Sequence, residues 1–200
     1  MNKDLFADKS KSWDMSSRRV KNAQGIAQKI IDKIELKSDM TVMDFGAGTG
    51  LLSYFIAPHI KKIVAVDNSP SMLEKFKEKA VEFESETEVV ELDLSSSTLN
   101  QKFDGIISSM TIHHLEDIEE MFTKMYEMLE ENGFIAIADL DSEDGSFHSD
   151  NRGVFHFGFE RDSLNEIAKK IGFRDIELEL ASTIEKPHGE FSLFLLTAYR

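Results

Sequence analysis

The run Val42-Met43-Asp44-Phe45, followed by Gly46-Ala47-Gly48-Thr49-Gly50, constrains the fold more than any other stretch of this chain. Apolar and β-branched residues closing on an acid read as a buried strand, and three glycines at alternate positions read as a tight turn into a helix that starts near Leu51. Glycine is needed where the backbone takes positive φ, or where another group must come close with no Cβ in the way. A turn of this kind at the carboxyl end of a strand is where open α/β sheets bind ligands.

The flanking sequence carries helices and further strands. Val20, Ala23, Ala27, Ile30, Ile31 and Ile34 recur at spacings of three and four, which predicts an amphipathic helix over 16–36. The first strand spans about 40–45, and a helix over 50–58 is closed by Pro58. Ile63-Val64-Ala65-Val66 reads as a second buried strand ending in Asp67, and Ser69-Pro70 supplies an N-cap and first-turn proline for a helix over 70–84. Strands follow at 87–92 and 103–109, a helix over 116–130 stopped by Asn132-Gly133, a strand at 134–138 and a helix over 161–171. Strand patterns at 173–184 and 190–199 flank Lys186-Pro187-His188-Gly189, so the chain should end in an antiparallel hairpin. Strands separated by helices or helix-length connections predict a mostly parallel α/β sheet covered on both faces.

Composition narrows the partners. With 41% hydrophobic and 30% charged residues over 200 positions, the chain reads as one globular domain over 16–200, preceded by a polar, mobile segment over 1–15. The net charge of −14 disfavours nucleic acid, because a phosphate-contacting surface needs clustered cations. The absence of cysteine excludes disulfides, thiolate nucleophiles and zinc–thiolate sites. The start lacks the apolar core of a signal peptide, and no apolar run approaches the ~18 residues of a membrane span, so the expected location is cytoplasmic.

The pattern Asp44-x-Gly46-x-Gly48-x-Gly50 resembles the first motif of the class I S-adenosylmethionine-dependent methyltransferases, in particular those of small-molecule type. It is not the dinucleotide fingerprint, whose third glycine would fall on Leu51 or Ser53. The resemblance runs from about residue 13 to the end, with its motifs between 42 and 115. It implies a Rossmann-like three-layer αβα fold with a seven-stranded sheet of order 3-2-1-4-5-7-6, the last strand antiparallel. It also implies S-adenosylmethionine as cofactor and S-adenosylhomocysteine as product.

The same resemblance assigns residues. Gly46, Gly48 and Gly50 would pass close to the methionine end of the cofactor, with Asp44 ordering their loop. Asp67, with Asn68 beside it, would accept both ribose hydroxyls; otherwise Asp67 starts a turn. Asp93 would accept from the adenine amine and Leu94 would donate its amide, unless Asp93 is a solvated loop acid. Ser108 and Met110, in the segment after the fourth strand, would touch the cofactor.

Methyl transfer from a sulfonium is an in-line displacement of an already activated donor, so alignment and exclusion of water matter most, and no metal is required. A base is needed only where the acceptor loses a proton, and histidine suits that near neutral pH. His113 and His114 are the candidates, with capping of the next helix as the alternative, and His114 is preferred of the two. A second cluster, Glu143-Asp144-Gly145-Ser146-Phe147-His148 and Val154-Phe155-His156-Phe157-Gly158-Phe159, follows the fifth strand in a connection long enough to act as a lid. His148, His156 and Phe157 there would grip an acceptor; the other readings are a metal held with Asp141 or Asp144, or histidines packed under aromatics. Phe6 and Trp13 resemble an N-terminal lid, in which Trp13 stacks on the acceptor or anchors the first helix.

The expectation is therefore methyl transfer to an O, N or C atom of a small molecule. The competing readings are a tRNA or protein methyltransferase, a non-catalytic S-adenosylmethionine-binding regulator and, last, a dehydrogenase.

Overall fold

The computed structural model describes residues 4 and 6–200, and residues 1–3 and 5 of the expected N-terminal segment lie outside the described residues. The strands are β1 (Thr41–Phe45), β2 (Lys62–Asp67), β3 (Glu86–Glu91), β4 (Phe103–Ser109), β5 (Leu129–Leu140), β6 (Arg174–Lys186) and β7 (Gly189–Tyr199). They form one seven-stranded sheet in the order β3-β2-β1-β4-β5-β7-β6. The pairings from β3 across to β5 are parallel, whereas β7 runs antiparallel to both β5 and β6. Seven strands in that order, flanked by helices, are the Rossmann-like methyltransferase architecture.

The helices are α1 (Ala7–Ser10), α2 (Ser17–Lys33), α3 (Leu51–Ile56), α4 (Pro70–Ala80), α5 (Ile118–Met128) and α6 (Arg161–Ile171). Two apolar clusters show how they cover the sheet. Ile26 and Ile30 of α2, Leu52 and Ile56 of α3 and Phe76 of α4 pack with one face of the strands. Met121, Phe122 and Met125 of α5 and Leu164 of α6 pack with the other. β1, β2 and β4 read as continuous apolar runs because both their faces are buried.

Local chemistry sets the helix starts. Ser16, Ser69 and Asp117 each accept the N–H three residues on, from Arg19, Met72 and Glu120, at 3.4, 3.3 and 2.8 Å. Helix α2 ends at Lys33 rather than 36, and two further boundaries depart from the sequence pattern. Helix α4 ends at Ala80 rather than near 84. Helix α5 ends at Met128, because the fully buried Leu129 already pairs with Phe103 as the first residue of β5. Asn132, at φ 65°, then forms an irregularity within β5, where the register jumps from Phe103–Leu129 to Gly105–Phe134, instead of stopping a helix. The final hairpin turns at Pro187-His188, as the sequence pattern indicates. Among the described residues, no helix is long and apolar enough to cross a membrane.

This strand order places the carboxyl ends of β3, β2, β1 and β4 side by side. The chain order reverses between β1 and β4, and such a switch point opens a crevice at that edge of the sheet.

Candidate functional site

The glycine turn stands at that crevice, and its glycines are needed for different reasons. Gly46 sits at φ 68°, and a Cβ there would lie 2.2 Å from Thr111 Cγ2. At Gly50, φ 80°, a Cβ would lie 2.6 Å from the Phe76 ring. These two are fixed by packing against β4's exit and α4. Gly48 differs: at φ 55° its missing Cβ meets nothing within 4 Å among the described residues. The turn therefore leaves an uncovered backbone surface at Gly48, a cradle for a ligand.

Two carboxylates hold the turn. Asp67, at the end of β2, accepts the Gly48 N–H and the Ser69 N–H, each at 2.8 Å. Burial pushes the Asp67 carboxyl above its ordinary range, and the N–H groups of Ser69, Gly48 and Asn68 oppose that rise. A carboxylate offers about four lone-pair sites, so Asp67 retains capacity for a diol. Asn68 is exposed beside it. Asp44, on β1, is buried and accepts the Ser53 hydroxyl at 2.5 Å. Desolvation raises its pKa to about 7, partly offset by Ser53 and reinforced by the negative charge of Asp67.

Around this pair lie the other sequence candidates. Asp93 follows β3, and its Oδ1 accepts from the Ser95 N–H at 3.0 Å and the Ser95 hydroxyl at 2.6 Å. Leu94 is buried, and its carbonyl accepts from Lys124 Nζ at 3.0 Å. Ser108 is buried and donates to the Phe45 carbonyl at 2.8 Å, tying β4 to the end of β1. Met110 takes φ 58° and donates its N–H to the Ala138 carbonyl at 2.8 Å. The glycines, Asp44, Asp67, Asn68, Asp93, Leu94, Ser108 and Met110 thus share one edge of the sheet.

The histidines gather at the exit of β4. His113 is buried, with Nδ1 2.7 Å from Asp139 Oδ1 of β5. The His113 and His114 ring centroids are 4.1 Å apart, and His148 lies 4.9 Å from His113. His114 Nδ1 bonds the Gly153 carbonyl at 2.6 Å, and the His113 carbonyl accepts the N–H groups of Phe155 and His156 at 3.0 and 3.2 Å. The connection after β5 is therefore folded down onto these histidines. Its base is closed by Arg161, which donates to both Asp141 oxygens at 2.7 Å. His188 Nε2 donates to the Ser146 carbonyl at 2.8 Å, and Lys186 donates to the Phe147 carbonyl, so the β6–β7 hairpin braces the same segment. His156 stacks at 5.0 Å on Phe159, and Phe157 is exposed. With Asp141 committed to Arg161 and Asp144 capping Ser146, no group of three or more potential ligands is placed to hold a metal ion among the described residues.

The described part of the N-terminal segment crosses the same edge. Asp4 accepts from the Ser69 hydroxyl at 2.8 Å and the Ser71 N–H at 3.2 Å. Asp14 accepts the Thr49 hydroxyl at 2.6 Å and pairs with Lys79. Trp13 carries the Arg19 guanidinium 3.9 Å from its ring centroid, and Phe6 meets both Trp13 and His114 edge-on. Sequence reasoning missed Asp139, Asp14 and Asp4. Asp139 closes an apolar strand that gives no reason to single it out, and the two N-terminal acids sit in a polar stretch with no periodicity.

A family model described as a methyltransferase domain matches residues 19–178. An uncharacterized methyltransferase of Schizosaccharomyces pombe is 31% identical over 159 residues, 71% of this chain and 56% of that protein. A malonyl-acyl-carrier protein O-methyltransferase of Acetivibrio thermocellus is 29% identical over 141 residues, covering 66% of this chain and 47% of that one. The chain spans about half the length of these curated relatives. In fold it is similar to an S-adenosylmethionine-dependent methyltransferase from Aquifex aeolicus, with a TM-score of 0.71 at 19% identity over 96% of this chain and 97% of that one. The glycine turn, the acids at the strand ends and a family match that runs over most of the sequence agree, and the chain belongs to the methyltransferase domain family.

Proposed function

We propose that this chain is an S-adenosylmethionine-dependent methyltransferase acting on a small molecule, in the cytoplasm. The observation that carries the reading is the Asp67–Gly48 hydrogen bond: it fixes an acid with spare acceptor capacity against an open backbone cradle at the switch point of the sheet. When bound, the cofactor supplies an electrophilic methyl group on a sulfonium. The chain's part is to bind, orient and keep water away. Asp67 and Asn68 hold the ribose, Asp93 and the Leu94 amide hold the adenine, and the uncovered Gly48 face receives the methionine end. Ser108 and Met110 form the wall towards β4. Asp44 keeps the turn in place through Ser53.

The acceptor enters from the side of the folded-down connection. His148, His156 and Phe157 contact it there, and Trp13 closes over it from the N-terminal segment. His113 and His114 stand where acceptor and donor meet. Holding two reactants in line can provide several orders of magnitude in rate, so the ordered connection and the clasped N-terminal segment both serve the chemistry. The charge of −14 favours a small acceptor over an RNA.

Isothermal titration with S-adenosylmethionine, followed by a radiolabelled methyl-transfer screen over small amines, phenols, acids and cellular RNA, tests the reading. Binding with turnover of a small-molecule panel member supports it. Binding with no transfer to any panel member, small molecule or RNA, makes the chain a cofactor-sensing regulator, and transfer to RNA alone makes it an RNA methyltransferase.

A further inference from the structure

His113 and Asp139 form an ionisable pair buried at the exit of β4. Both side chains are essentially inaccessible, at 1% and 0% exposure; His113 lies in the short helical turn after β4 and Asp139, 26 residues on, near the end of β5. Asp139 accepts three times: from His113 Nδ1 at 2.7 Å, from the Leu140 N–H at 2.8 Å and from the His113 N–H at 3.3 Å. Burial works to raise the Asp139 carboxyl, but His113 and the N–H groups of Leu140 and His113 outweigh it and hold the carboxyl below the usual carboxylate range. An ionised acceptor at Nδ1 fixes the hydrogen there and leaves Nε2 as a lone pair. That Nε2 is buried and has no hydrogen-bond partner among the described residues. A buried imidazole nitrogen left unsatisfied costs stability, which an apolar residue of the same shape would avoid.

The pair is also well placed. Thr111, two residues before His113, donates to the Gly46 carbonyl at 3.3 Å, so His113 is tied closely to the glycine turn. The groups facing the ring are the imidazoles of His114 and of His148, the latter on the connection after β5. That connection is held over His113 by single hydrogen bonds from Phe155, His156 and His114. The β6–β7 hairpin also braces it, through Lys186 at the Phe147 carbonyl and His188 at the Ser146 carbonyl, so these contacts too must open for the ring to be uncovered.

We propose that Asp139 and His113 form a proton-accepting pair, in which His113 Nε2 receives the proton of the methyl acceptor and Asp139 is the positioning residue. This rests on the methyl-transfer reading above and deepens it by defining the acceptor class. The attacking atom carries a proton it must shed, as a hydroxyl or an ammonium does and a carboxylate does not. As that atom bonds to the methyl carbon, the carbon–sulfur bond breaks with its electron pair staying on sulfur. The acceptor's proton moves to Nε2. The imidazolium is balanced by the Asp139 carboxylate and releases its proton to water when the product leaves.

Long-range 1H–15N spectra of protein carrying 15N-imidazole histidine, recorded with S-adenosylhomocysteine between pH 5 and 9, test this without knowing the acceptor. The His113 signals are assigned with His113→Gln. The expected result is a neutral His113 with its hydrogen on Nδ1, and an Nε2 that takes up a proton within that range. Asp139→Asn should put the hydrogen on Nε2 and lower its proton affinity by about tenfold or more, and Asp139→Glu should restore the wild-type tautomer. A His113 that keeps one charge state from pH 5 to 9, or the hydrogen on Nε2 in the wild type, would make the pair a buried strut and overturn the proposal. So would transfer to carboxylic acids in preference to phenols and amines. Failure of S-adenosylhomocysteine to bind in the same titration sinks the cofactor reading itself, which separates the two failures.

Discussion

Asp44 offers a test of how the glycine turn is built, and its size follows from the structure. The side chain is buried beneath the turn with the Ser53 hydroxyl as its hydrogen-bond donor, and burial raises its pKa from 3.8 to about 7. The folded chain thus binds this proton more tightly than the unfolded chain does. Asp44's contribution to stability is fully present below about pH 4 and is lost as pH rises through about 7. The gap between about 7 and 3.8, at roughly 1.36 kcal/mol per unit, amounts to about 4 kcal/mol in total, of which about 2.5 kcal/mol falls between pH 5 and 8.

Asp44→Asn keeps the shape and still accepts from Ser53, but it cannot ionise. The variant should therefore gain on the wild type by about 2.5 kcal/mol from pH 5 to pH 8, or about 1 M in urea midpoint. Any fixed cost of the amide adds an offset without slope. Asp139 and Asp141, whose carboxyls burial would raise but His113 and Arg161 hold low, change stability only below about pH 4, outside this range. Urea unfolding at pH 5, 6, 7 and 8, without ligand, reads the difference directly. Parallel curves for the two proteins would refute the raised pKa of the buried Asp44.

Three further outcomes are expected. Asp67→Ala removes the acceptor of the Gly48 and Ser69 N–H groups and should weaken S-adenosylmethionine binding by at least about tenfold by calorimetry, with an unchanged circular dichroism spectrum. An unchanged dissociation constant would take Asp67 out of the site. Asp14→Ala breaks the clasp on Thr49 and Lys79; it should cost less than about 1 kcal/mol in stability yet raise the cofactor dissociation rate several-fold in stopped flow. Equal rates in variant and wild type would leave Asp14 a surface contact. His114→Ala removes the bond to the Gly153 carbonyl and should speed amide exchange over 150–157 while lowering turnover more than cofactor affinity. Unaltered exchange would mean that the bond from His114 does not hold the connection down.

Much of the fold was legible because burial on both faces leaves a plain signature. Val42-Met43 and Ile63-Val64-Ala65-Val66 are apolar without alternation, and the serine caps and Pro70 mark where helices begin. The strand order was not in the periodicity. It came from the resemblance carried by Asp44, Gly46, Gly48 and Gly50. The start of β5 was misplaced because Asn132-Gly133 reads as a helix stop, whereas Leu129 gains more by pairing with Phe103 inside the core. The site divides in the same way. Acids at strand ends can be read from the chain, since each follows an apolar run at fixed distance. The Asp139–His113 pair cannot, because the partners become neighbours only once β4 and β5 lie side by side. The clasps from Asp4 and Asp14 depend on where a polar, aperiodic segment settles, which tertiary contact alone decides.

The central claim is that the glycine turn binds an adenosyl sulfonium cofactor. Thermal unfolding of the purified chain with S-adenosylmethionine, S-adenosylhomocysteine, NAD or no ligand tests it most directly. A ligand at 100 times its dissociation constant stabilises by about 2.7 kcal/mol, enough to raise the midpoint by several degrees. The account predicts that rise with both adenosyl compounds and none with NAD. No rise with either adenosyl compound at millimolar concentration, or a rise with NAD alone, would contradict it.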